Sequence, residues 1–344
     1  MYRSLIRKGS WILSVFALVF ALPSVSLADE VNVYSARKEA LILPLLEKFE
    51  AETGIGFKLI TAKADALLKR LEAEGQSSPA DVFITTDAGR LQRAKDAGVL
   101  RAIDSAVLKE RIPVNLRDED NTWFGLSERA RVIFYVKDKV DPSELSTYEA
   151  LTDPKWKKRI CIRSSGNIYN QSLVGSMIES RGVEATEEWA RGLVANFARK
   201  PAGGDTDQLR AAAAGLCDIA IANTYYFGRL VNSSKEKDQQ VANSLGVFWP
   251  NQDDRGAHIN VSGAGVAKHA PHPEAAQKLI EFLVNAESQA WYAEVNNEYP
   301  VVVDAGTSAT LQSWGDFKAD SINLTRLGEN NRAAVELMDR AGWR

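Results

Sequence analysis

Apolar and polar positions along the chain switch repeatedly between a period of two and a helical period. Residues 31–35 (VNVYS) carry the alternation of a short strand. Over 39–53, Leu41, Leu45, Leu46 and Phe49 fall on one helical face, and Gly54 supplies the stop. Residues 57–62 return to strand. Asp65 is expected to cap a second helix running through Leu67, Leu68 and Leu71 to Gly75. Residues 81–85 read as a third strand, and Leu91 and Ala94 mark a third helix. Repeated βαβ units predict a parallel sheet covered by helices.

Further along, residues 123–136 (WFGLSERARVIFYV) form a strand-like stretch long enough to leave one lobe and enter another. Strands are predicted over 160–163, 217–222, 247–249 and 259–262, and helices over 169–180, 208–214 and 273–295. There is no short repeat and no low-complexity segment. The pattern predicts two α/β lobes joined by crossing strands. Ligands of open α/β sheets bind beyond the carboxyl ends of strands, and domain interfaces are favoured sites.

Composition narrows the function. With 344 residues, 45% hydrophobic and 25% charged, the chain is globular and large enough for two domains. A net charge of −3 leaves no basic excess for a phosphate backbone, so nucleic acid is not an expected partner. Three His and two Cys are too few for the common zinc clusters. Residues 1–28 read as a signal peptide. Arg3, Arg7 and Lys8 precede an apolar run from Trp11 to Leu22, Pro23 breaks it, and Ser26-Leu27-Ala28 offers cleavage after about Ala28. A retained anchor is the alternative. Export implies an oxidising compartment, in which Cys161 and Cys217 are expected to form a disulfide, two free buried thiols being the other reading.

Chemistry enters with tyrosine. Tyr225-Tyr226 follows the apolar strand ending at Ala222, where a cleft would open. Tyr169 lies between another strand and a helix, and taken alone it reads as a loop aromatic. Three phenolates on one ion suit a hard trivalent cation, since they cancel the charge of Fe(III) and supply oxygen donors. Zinc prefers His or Cys and calcium prefers carboxylates.

Six stretches carry a resemblance that spans nearly the whole chain after residue 28. They are VNVYSARKEAL (31–41), SPADVFITTDAGRL (78–91), WFGLSERARV (123–132), GNIYNQSLV (166–174), GLCDIAIANTYYFGRL (215–230) and HINVSGAGVAKHAPHPEAAQKLIEFL (258–283). Through them the sequence resembles the periplasmic ferric-iron-binding proteins of bacterial ABC importers. The resemblance implies an α/β, two-lobed periplasmic solute-binding fold with a hinge of crossing strands. It implies an N-terminal lobe of 29–130 plus 258–306 and a C-terminal lobe of 131–257 plus 307–344. The family's tyrosine ligands fall on Tyr169, Tyr225 and Tyr226, and the implied role is a monomeric, non-catalytic carrier of Fe(III) that passes iron to a membrane permease.

Several such proteins carry His, or His-Tyr, just after the first strand, where this chain has Lys38 and Glu39. Charged Lys38 has no lone pair. Glu39 offers an oxygen as the N-lobe ligand, and its place at a helix start also suits a dipole role. Carbonate or a related synergistic anion is the other way to complete the coordination. Arg37 and Arg129, with Arg131 behind them, are the arginines whose planar forks suit it; rim solvation is the alternative. His258, His269 and His272 read as structural. The rival functions are a carrier for an oxyanion or small organic acid on the same fold, and a transferase-type enzyme on a bilobal scaffold.

Overall fold

The computed structural model describes residues 30–344; the expected signal peptide lies outside the described residues. Strands β1 (Glu30–Ser35), β2 (Gly56–Thr61) and β3 (Val82–Thr86) alternate with helices α1 (Leu43–Thr53), α2 (Ala64–Glu74) and α3 (Ala88–Asp96). β1 pairs in parallel with both β2 and β3, as successive βαβ units require. The helix expected from residue 39 is divided. Glu39–Leu41 form a 3-10 turn, and α1 starts at Leu43 with Pro44 in its first turn, where a missing N–H breaks no helical bond. Gly54 ends α1 at φ 71°, a region that glycine enters without a Cβ clash. Asp65 lies inside the first turn of α2 and does not cap it; its carboxylate pairs with Arg93.

After a short strand β4 (Leu100–Arg101) and helix α4 (Ala106–Arg111) comes β5 (Phe124–Val136). Four strands follow it: β6 (Ile160–Cys161), β7 (Ile219–Asn223), β8 (Leu245–Phe248) and β9 (Ile259–Ala267). The order is β2-β1-β3-β9-β5-β7-β6, with β4 on β9 and β8 on β5. Between Phe124 and Ala130, β5 pairs with β9; from Arg131 to Tyr135 it pairs with β7. One strand therefore serves two sheets and changes partner between Ala130 and Arg131. β9 returns into the first sheet between β3 and β5, and all nine of its residues are buried, as a strand covered on both faces must be.

The second sheet carries α5 (Ile168–Arg181), α6 (Val183–Ala195), α7 (Asp205–Ala213) and α8 (Thr224–Val231). Its core includes Trp156, Trp189 and Trp343. The single helix expected over 273–295 is three elements. Val284 closes Pro273–Leu283, Asn285 caps Ala286–Trp291 by accepting from the Ser288 N–H, and a π-helical turn, Tyr292–Asn296, follows. The helix Thr325–Glu329 packs against both α3 and α5: an added Cβ at Gly328 would lie 2.2 Å from Gln92 Cβ.

Cys161 and Cys217 are joined in a disulfide across 56 residues of sequence. Closing such a loop restricts the unfolded chain by about 4 kcal/mol. Among the described residues, no helix is long and apolar enough to cross a membrane.

Candidate metal centre

α5 and α8 each start at the cleft with a tyrosine in the first turn. α8 begins directly where β7 ends, so Thr224, Tyr225 and Tyr226 occupy the strand-to-helix turn. That turn brings two sequence neighbours to one side, with ring centroids 4.2 Å apart and planes at 31°. Tyr169 is the second residue of α5. Tyr225 Oη donates a hydrogen bond of 3.2 Å to Tyr169 Oη, so residues 56 positions apart meet at their oxygens. Tyr225 is buried, and Tyr169 and Tyr226 are half-buried.

The opposite wall is cationic. Arg129, 1% exposed, has its guanidinium carbon 5.9 Å from the ring centroids of both Tyr169 and Tyr225. It donates to Val261 O and to Ser262 Oγ. Arg37 donates to the same Ser262 hydroxyl and pairs with Glu298 at 3.0 Å. The Glu298 carboxylate also lies 3.7 Å from Arg129 and accepts from Ser127 Oγ. Two guanidinium groups thus share one carboxylate, leaving one positive charge toward the phenols. Arg229 lies 4.9 Å from the Tyr225 ring and 5.6 Å from Tyr226, and Arg163 lies 5.8 Å from Tyr169. A cavity of about 150 Å³ separates the walls, lined in part by Arg37, Lys38, Thr86, Tyr169, Tyr225 and Arg229. Glu39, exposed in its 3-10 turn, does not line it.

The third arginine turns away from the cavity. Arg131, 2% exposed, gives both Nε and Nη2 to Asn170 Oδ1, at 3.1 and 2.7 Å. Its Nη1 reaches Asn223 Oδ1 at 2.9 Å and Asp205 at 3.2 Å, and Nη2 also donates to Ile221 O. His258 is buried at the entrance to β9, where burial and the charges of Arg131 and Arg255 push it down to about 3, so it stays neutral.

Electrostatics separates the three phenols. Burial and the neighbouring tyrosines push Tyr225 well above its ordinary value. Burial, Tyr169 and Asp205 push Tyr226 up to about 12. Burial also raises Tyr169, but Arg129, the hydrogen bond from Tyr225, Arg90 and a hydrogen bond with Thr86 together hold it below its ordinary value. Like charges this close resist ionising together, so only a strongly acidic cation among them keeps all three as phenolates. Among the described residues, no group of three or more His, Cys, Asp or Glu is placed to hold a metal ion.

Four participants went unread in the sequence. Arg229 had a signal, since it follows Tyr225 by four residues on a helix and so shares its face. Glu298 pairs with Arg37 across 261 residues, and nothing local marks that contact. Ser262 and Arg163 are likewise brought in by tertiary packing.

Against known proteins, residues 45–319 match the bacterial extracellular solute-binding protein family. The chain is 49% identical over 316 residues to iron uptake protein A1 of Synechocystis, covering 92% of this chain and 88% of that one. Among solved structures, the Trichodesmium protein IdiA (FutA) in complex with iron and citrate ligands superposes with a TM-score of 0.90 at 52% identity, covering 92% of this chain and all of that one. The ferric binding protein of Campylobacter jejuni gives 0.86 at 42% identity, covering 91% of this chain and 100% of that one.

Proposed function

Because the chain belongs to the bacterial extracellular solute-binding protein family, we propose that it is the periplasmic Fe(III)-binding subunit of an iron ABC importer. The convergence of Tyr169, Tyr225 and Tyr226 carries this reading, and the iron-binding relatives support it. The three tyrosines hold iron as phenolates. The lobes, 29–130 with 258–306 and 131–257 with 307–344, close on the ion, and the loaded protein delivers it as a monomer to the inner-membrane permease. Its role is carriage and not catalysis. Cleavage after about Ala28 releases it into the periplasm.

Arg129 and Arg37 balance an anion bound with the metal. Three phenolates cancel the charge of Fe(III), so any further anionic ligand adds negative charge, which the surplus positive charge of the Arg37–Glu298–Arg129 group offsets. Carbonate or a carboxylate fits that demand, and the relative bound to iron and citrate supports it. Glu39 is proposed as a ligand only for a more tightly closed cleft, since it stands outside the cavity lining.

The test is spectroscopic. Purified protein loaded with one equivalent of Fe(III) is expected to show a visible phenolate-to-iron charge-transfer band that changes with carbonate or citrate in the buffer. A colourless protein holding stoichiometric Fe(III) removes the tyrosines as ligands, and a protein that binds no iron removes the reading.

A further inference from the structure

We propose that Arg131 is the positioning residue that fixes the two tyrosine-bearing helices against each other and so sets the spacing of the three ligand oxygens. The inference rests on the ferric reading above. Asn170 directly follows Tyr169, and Asn223 stands two residues before Tyr225. One planar guanidinium bonds both asparagine oxygens, so the first turns of α5 and α8 are tied through a single rigid group.

Each partner is committed in turn. The Asn170 amide donates to Arg163 O and Ser164 O, which pins the loop leading into α5. Asn223 occupies the N-cap position of α8, yet makes no cap hydrogen bond there; its oxygen is given to Arg131 instead. Asparagine is among the best capping residues, so this diversion forgoes a local stabilisation on the order of 1 kcal/mol. The sequence thus spends its cap on a link between helices. Asp205, 0% exposed, balances the arginine charge and also lies 3.7 Å from Arg163. The arginine backbone is held as well: Tyr148 Oη donates to Arg131 O, and Arg131 N–H donates to His258 O. Arg131 therefore has no freedom to serve the cavity, and its work is done behind the ligands.

Asn223→Ser and Arg131→Lys test this, with ferric nitrilotriacetate as the iron source. Serine at 223 can cap α8 but cannot reach the guanidinium. Asn223→Ser should keep or raise the melting temperature of the metal-free protein. It should also weaken iron binding roughly 10- to 100-fold, the loss typical of partners that orient metal ligands, and shift the charge-transfer band. Arg131→Lys keeps the charge, loses the fork and should move affinity and band in the same direction. A merely structural role predicts instead that affinity follows the melting temperature with the band unmoved, and that outcome overturns the proposal. If Arg131→Lys does not fold, Asn223→Ser decides alone. If the parent protein shows neither iron binding nor a band, the ferric reading fails, and this inference with it. If the parent binds with its band and Asn223→Ser is indistinguishable from it, only the inference fails.

Discussion

On the C-terminal side of the cleft, three phenols stand on the first turns of α5 and α8, behind them a disulfide and a fully committed arginine. On the N-terminal side the cavity is lined by Arg37 and Lys38, with Arg129 5.9 Å from the Tyr169 and Tyr225 rings, and Arg37 and Arg129 share the carboxylate of Glu298. On the proposed ferric reading, the first wall supplies oxygen donors whose distances matter. The second supplies charge, which acts over several ångströms and tolerates small displacements. The walls should therefore fail differently. Damage to the donor wall should change the identity of the metal site, and damage to the charged wall should change its anion and its affinity.

The sharpest break is Tyr225→Phe or Tyr226→Phe. Each is expected to lower iron affinity by about a thousandfold or more, beyond the roughly 10- to 100-fold cost of losing an outer partner, and to weaken or abolish the visible band. Titration with ferric nitrilotriacetate and absorbance reads both. An unchanged band in Tyr169→Phe removes that residue from the set. Acid should mimic these losses. The phenols of Tyr225 and Tyr226 lie above their ordinary range, so protons compete with the metal at all accessible pH and iron should leave as pH falls.

The disulfide tests the backing of that wall. Cys161→Ser with Cys217→Ser should cost about 4 kcal/mol in urea unfolding and leave the band in place, because Arg131 still links the ligand helices. Loss of the band in a folded double variant would instead make the disulfide the element that sets the geometry.

The charged wall should give a smaller, conditional response. Arg129→Gln is expected to lower iron affinity roughly 10- to 100-fold when carbonate or citrate is present and much less without either anion. A loss independent of the anion contradicts the division of labour between the walls.

The smallest effect concerns Glu128, beside Arg129 on the crossing strand. Burial pushes its carboxyl up to about 7. A carboxyl whose folded value exceeds its unfolded one holds its proton more tightly in the folded state, so stability falls as pH rises from the ordinary carboxylate value to about 7. Glu128→Gln should stabilise the metal-free protein at pH 8, above the folded value, and leave it nearly unchanged at pH 4. Equal melting temperatures at both values would show that the native environment of Glu128 costs nothing.

How much was legible follows from the range of each interaction. The βαβ alternation was visible because it is local periodicity, and Tyr225-Tyr226 stood out because the pair directly follows an apolar strand. The break at Asn285 was hidden because the apolar spacing continues past it while the cap acts over three residues. Arg129 was favoured over Arg131 as the cleft arginine, although residues two apart on a strand share a face and local pattern does not separate them. The change of partner between them gives Arg129 to the cleft and Arg131 to the helices behind it. Glu298 had no local signal.

The return of β9 bears on how the chain is made. Without residues 259–267, β3 and β5 have no partner between them, so the first lobe cannot complete its sheet until most of the chain exists. The lobes cannot form one after another as the polypeptide emerges. A chain made in this order is slow to commit to its first sheet. The two halves should fold as one cooperative event, with a single unfolding transition where two lobes would suggest two.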